Sequence, residues 1–253
     1  MTIKSAIKSL QDVFNYKAIR YPLYGVTAFL VLLVTYYSLS IFNVFGMNTY
    51  QEGWRAGSLS NYMISNRVMN WLPFSFFPTG EGYILLGKDS SRISVNGHTI
   101  SPSYFSSDTD SYGKFNKYAG KETAVHFRQL RYTWFLNGET NVRVDNFDIL
   151  TDAPMPEKCY GDTHGWFSKA YGVMGGRIVE AAVIGHPLLW NTYEVIIHTG
   201  GNEYKEMSVS DKKMYDCAVY ALKSGKNFKI TYEKELIRDP TTQATYYNLK
   251  GIE

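Results

Sequence analysis

Cys159, Asp162 and His164 bring a thiol, a carboxylate and an imidazole within six residues, in the run CYGDTH. That set could hold zinc or arm a cysteine nucleophile with a histidine base. An exposed connector with its cysteine in a disulfide explains the run more simply. The other histidines, His98, His126, His186 and His198, make no H-E-x-x-H and no other close ligand spacing. His126 and His198 fall in strand patterns, where a wall or surface position is the commoner use.

Ser208, Ser210 and Asp211 carry hydroxyl and carboxyl groups, but no G-x-S-x-G turn exposes a nucleophile. A helix cap accounts for Ser210 with Asp211 in the first turn. Glu81 and Glu194 occupy matching places in two similar stretches. Glycosidase chemistry would need both carboxyls on one substrate, and the match follows from repetition alone. GVMGGR, residues 172–177, lacks the G-x-x-x-x-G-K-[ST] pattern and a following helix, so it is not a phosphate loop. No catalytic residue, metal ligand or cofactor is assigned, and an enzyme is not expected.

The elements around these residues begin with a charge-free segment at residues 22–45. At about 1.5 Å per residue it crosses a hydrocarbon core of roughly 30 Å. Tyr21 and Tyr24 flank one end, and Tyr36 and Tyr37 lie toward the other. A cleaved signal peptide is the alternative; the apolar run is longer than its usual core and no A-x-A site follows. Residues 1–21 carry Lys4, Lys8, Lys17 and Arg20 against Asp12 alone. The positive-inside rule puts them in the cytoplasm and the rest outside it, in a bacterium the periplasm, with the bilayer as one partner.

Of 26 Lys and Arg, four precede the segment, as does one of 23 Asp and Glu. The exported part is therefore formally neutral, which argues against a nucleic-acid partner. Both cysteines, Cys159 and Cys217, fall in it, where a disulfide persists. One bridge and two buried thiols are both open readings, because sequence does not show their separation.

The exported part reads as two copies of one unit, at residues 46–150 and 171–253, joined by a connector at 151–170 with Pro154 and Pro156. Gly57 and Leu59 align with Gly176 and Ile178, Trp71 with Trp190, Glu81 with Glu194, and Ile84 with Ile197. Further on, a shift of 105 residues aligns Gly120, Val125, Thr140, Val144 and Phe147 with Gly225, Ile230, Thr245, Leu249 and Ile252. Two unrelated β-rich segments with generic strand patterns are the alternative.

In the second copy, strands are expected over 177–184, 193–198 and 204–209. A helix follows with Met214, Cys217, Ala218, Ala221 and Leu222 on one face, ended by Gly225. Strands at 227–233 and 245–252 complete it. The first copy repeats the order with a weaker helix at 112–119. With 21 tyrosines, 14 phenylalanines and little helix-forming bias, the chain reads as mainly β. The expected architecture is an N-terminal transmembrane helix and two tandem OB-like barrels, each of about five strands plus one short helix. Other small barrels share that order.

EGWRAGSL (52–59), TGEGYIL (79–85), TYEV (192–195), MSVSD (207–211) and SGKNFKITYE (224–233) resemble motifs of an uncharacterised family of small bacterial single-pass membrane proteins. The second copy has Met174 where the first has Arg55, and the first has Phe105-Ser106-Ser107 for the F-S-V strand. The resemblance implies a membrane-tethered β-domain and no activity.

Three roles fit. The first is a non-enzymatic, inner-membrane-anchored component of a periplasmic envelope assembly, of secretion or conjugation type, in a homo- or hetero-oligomeric complex. Trp71, Phe74, Phe76 and Phe77, in an insertion unique to the first copy, form a candidate interaction loop; ordinary core packing is the alternative. The second is a module binding glycan or peptidoglycan fragments through an aromatic-lined face. The third, a periplasmic hydrolase, needs a cleft with convergent polar groups.

Overall fold

A computed structural model describes residues 17–41, 48–67, 77–86, 93–95, 98–101, 103–108, 110–132, 140–151, 155, 159–161, 168–186, 190–237, 243 and 245–253. The chain divides into two compact units, the first ending at Val44 and the second running from Phe45 to Glu253.

Helix α1, Lys17–Ile41, belongs to the first unit. Its stretch Tyr21–Leu39 is long and apolar enough to cross a membrane. Phe29, Leu32 and Val34 are all well exposed, so no protein core accounts for their apolarity. The hydroxyls of Thr27, Thr35 and Ser38 donate to the carbonyls of Leu23, Val31 and Val34 one turn back. Such back-bonding satisfies a hydroxyl where water is absent. The helix starts five residues before the expected span at 22–45, whose last residues lie outside those described.

The second unit is mainly β. Its elements are β1 Thr49–Arg67, β2 Phe77–Leu85, β3 Ile93–Val95, β4 His98–Ser101, β5 Ser103–Asp108, α2 Ser111–Tyr118, β6 Glu122–Leu130 and β7 Val142–Ile149. Then come β8 Cys159–Tyr160, β9 Ser168–His186, β10 Trp190–Gly200, β11 Glu203–Val209, α3 Lys212–Ser224, β12 Phe228–Glu235 and β13 Tyr247–Ile252. Strands β3 and β4 form a separate two-stranded pair.

In the first half, β1 pairs with β2, β2 with β5, β5 with β7, β7 with β6, and β6 with β1. In the second, β9 pairs with β10, β10 with β11, β11 with β13, β13 with β12, and β12 with β9. All these pairings are antiparallel except β5–β7 and β11–β13. Between the halves, β1 pairs antiparallel with β9, from Gln51↔Ile184 to Arg55↔Glu180. One hydrogen-bonded sheet therefore runs through both halves.

Alternation along the strands fills a core in each half. Leu59, Ile84, Phe105, Val125, Phe127, Val144 and Phe147 are buried together in the first. Ile178, Ile197, Met207, Ile230, Leu249 and Ile252 are buried together in the second, with the apolar face of α3. Ala56 and Ala124 join the second core, and Ala182 joins the first. Small side chains there let the two layers approach.

Helix α3 follows the expected spacing, with Met214, Cys217, Ala218, Ala221 and Leu222 all buried. Its cap is Asp211, one residue after the expected Ser210: the Asp211 side chain accepts the Met214 N–H at 2.8 Å. Gly225 ends the helix at φ 67°, a left-handed position that favours glycine. Replacing Asp211 with Ala should cost about 1 kcal/mol, read as a lower urea midpoint; an unchanged midpoint would mean the cap contributes nothing.

The stretch 151–170 is more than a connector. Cys159 and Tyr160 form β8 against Ile252 and Gly251 of β13, and β9 begins at Ser168. Cys159 is buried and bonded to Cys217 of α3, with Cα atoms 6.0 Å apart. The exposed connector expected at Cys159 is thus corrected: strand pairing and the disulfide draw this residue into the second core.

Candidate functional site

A buried ion pair lies where β1 meets β9. Arg55 Nε donates to Glu180 Oε2 at 2.8 Å, and Arg55 Nη2 lies 2.6 Å from the same oxygen. Gln51 Nε2 donates to Glu180 Oε1 at 2.6 Å. Arg55 Nη1 donates to Ser103 Oγ, and its guanidinium lies 4.2 Å from the centre of the Phe127 ring. Arg55 is 5% exposed and Glu180 2%, so each charge is left with the other as its counter-ion.

The backbone beneath this pair is close-packed. A Cβ on Gly53 would sit 2.1 Å from the Ala181 carbonyl oxygen, so only glycine fits there. Nearby, Leu86, Val179 and Ile196 are buried together, and Tyr204 Oη donates to the Leu86 carbonyl at 2.8 Å. On the opposite side, Lys223 of α3 lies 3.5 Å from the Trp54 ring centre and 2.8 Å from Asp148 Oδ2.

Glu194 of β10 adds a buried carboxyl, 6% exposed. Burial pushes its pKa up to about 10, helped by a hydrogen bond with Glu206 and by the charges of Glu206 and Glu180. It is therefore protonated at neutral pH. The folded unit holds this proton more tightly than the unfolded chain, whose ordinary value is near 4.5. The resulting stability is whole below about pH 4.5 and is lost as pH rises toward about 10. Glu194→Gln, neutral at every pH, should flatten that decline in urea midpoints between about pH 5 and about pH 9. An unaltered slope would contradict a protonated Glu194.

The sequence candidates are placed as follows. His126 Nδ1 lies 2.7 Å from Asp145 Oδ1, and its ring meets the edge of Trp54. His198 stacks on Tyr204 and donates through Nε2 to the Gly201 carbonyl at 2.8 Å. Ser208 Oγ accepts the Thr245 N–H at 2.8 Å, and Asp211 caps α3. Glu194 hydrogen-bonds Glu206 rather than its sequence match Glu81, which pairs across the sheet with Met63 and Ser106.

Asp162, His164, Trp71, Phe74 and Phe76 lie outside the described residues, as do the side chains of His98, His186 and Phe77. Among the described residues, no three His, Cys, Asp or Glu side chains gather as metal ligands.

Sequence reasoning missed the Arg55–Glu180 pair and the role of Glu206. One signal was present: Glu180 stands alone between Val179 and Ala181 in a strand of buried type. A charge in that setting needs a partner.

The arrangement can clamp the halves together. Its carboxyls and guanidinium are consumed by contacts with one another and with Gln51 and Ser103, inside the protein. No protein-family model and no curated protein matches this chain.

Proposed function

We propose that this protein is a non-enzymatic component of a bacterial envelope assembly. Its first residues lie in the cytoplasm, α1 anchors it in the inner membrane, and its β unit works in the periplasm through protein–protein contacts. A secretion- or conjugation-type machine suits this architecture.

The observation that carries the reading is the buried Arg55–Glu180 pair. It spends a buried pair of charges on locking two halves of the β unit into one body. Rigid presentation of a surface is what an assembly component requires, since preorganisation lowers the cost of binding.

Each half is, on this reading, an OB-like barrel, and the two arose by duplication. The strand pairing order is the same in both, with the helix between the third and fourth strands. The parallel pairs join Ser106 to Arg143 and Ser208 to Asn248, and 143 and 248 are related by the 105-residue shift. Thr140 and Thr245 repeat that shift: each Oγ1 donates to the carbonyl two residues on, and each N–H meets the serine of its parallel pair. Register slips fall after His126 and after Thr231, also 105 apart. The family resemblance fits the same reading.

The test is to cross-link the full-length chain in its membranes, extract it in detergent and identify what co-purifies. Other envelope proteins in comparable amount are expected. Recovery without any other protein species would overturn the assignment.

A second reading, glycan binding, has one observation in its favour. Tyr83 and Tyr104 pair across β2 and β5 with ring centres 5.5 Å apart, and Tyr104 is well exposed. A sugar ring could stack there. On that reading Tyr104→Ala abolishes retention on peptidoglycan; unchanged retention would remove it.

A further inference from the structure

The seam within the chain is not symmetric. The first half contributes residues 51–55 of β1, and the second contributes residues 180–184 of β9. If the halves are duplicates, as proposed above, each should carry both kinds of edge. The correspondence between β1 and β9 is a shift of 119 residues. Leu59 pairs with Ile84 as Ile178 pairs with Ile197. A Cβ on Gly57 would meet the Leu85 carbonyl oxygen, and one on Gly176 the His198 carbonyl oxygen, in each case the residue after that isoleucine.

That shift carries 51–55 onto 170–174 and 180–184 onto 61–65. Among the described residues, β9 pairs over 170–174 with β12 alone, and β1 pairs over 62–65 with β2 alone. Both stretches, AYGVM and NYMIS, lack any charge. Val173 is 58% exposed, Met63 54% and Ile64 45%. Natural sheet edges are usually guarded by lysine, proline or a cover. A bulge at Asn61, with φ 36°, lies just before the four residues in question.

We propose that these two edges join one copy of this chain to the next. The edge at 170–174 of one chain receives the edge at 61–65 of a second, repeating between chains the antiparallel seam found within one. The register follows from the seam: Tyr171 opposite Ile64, Gly172 opposite Met63, and Val173 opposite Tyr62. Such a contact is head-to-tail, so it builds a closed ring or an open row rather than a two-fold dimer.

The experiment uses the full chain in native membranes. The variant Tyr171→Cys/Ile64→Cys places thiols on directly opposed positions of neighbouring copies. The native cysteines are already joined to each other. After mild oxidation, dimers and larger adducts that collapse on reduction are expected on denaturing gels. They should exceed several-fold those of Tyr171→Cys/Met63→Cys, whose second thiol points to the other face of the strand. Adding Val173→Lys to the matched pair should cut the adducts several-fold while thermal unfolding stays unchanged. Monomer alone, or equal adducts from matched and mismatched pairs, overturns the proposal. Either result leaves the envelope-assembly reading standing, because that reading is judged by the other proteins recovered.

Discussion

Arg55→Met is expected to destabilise the β unit by about 3–5 kcal/mol, the largest effect of any single substitution considered. Glu180, 2% exposed, would keep only the Gln51 amide and lose its counter-ion. A carboxylate left in that state retains the full cost of leaving water. Glu180→Met should cost a similar amount by stranding Arg55 against Phe127 and Ser103. The double variant Arg55→Met/Glu180→Met should recover much of the loss, because two apolar side chains of similar size leave no charge behind. Urea unfolding of all three variants measures this. Additive losses in the double variant would contradict a coupled pair.

Loss of the Cys159–Cys217 bond is expected to lower stability by about 2–4 kcal/mol. The bond spans 58 residues of sequence, and in the chain-entropy account its main action is to restrict the unfolded chain. It also ties α3 to β8, which is two residues long and, among the described residues, pairs with the end of β13 alone. Reduction, or Cys159→Ala with Cys217→Ala, should therefore lower the melting temperature while strand signals persist in circular dichroism. An unchanged melting temperature under reduction would contradict this.

Much of the second half was legible in the sequence because its signals are local. The spacing of Met214, Cys217, Ala218, Ala221 and Leu222 specifies one helical face, and Gly225 marks its end. Alternation in NFKITYE places a half-buried strand, and β12 covers it from Phe228 onward. The cap moved by one residue because Ser210 and Asp211 are both good acceptors, and only the backbone geometry chooses between them. The first residues of β9, 168–170, fall in the expected connector: Lys169 and Ala170 are exposed, so no buried face signals a strand there.

The seam was illegible for a different reason. Arg55 and Glu180 lie 125 residues apart, and no periodicity links positions that meet through tertiary pairing. Glu194 illustrates both sides. Its match to Glu81 is visible in sequence and survives as a shared register, since Glu81 faces Ser106 as Glu194 faces Ser208. Its hydrogen-bond partner Glu206 follows only from how β10 and β11 pack.

The most direct test of the whole account is the side of the membrane on which the β unit lies. Lys114 is exposed on α2, and both native cysteines are in a disulfide, so Lys114→Cys adds one reactive thiol. A membrane-impermeant maleimide applied to intact spheroplasts should label this variant as fully as it does after lysis. Labelling only after lysis would place the β unit in the cytoplasm and contradict the account.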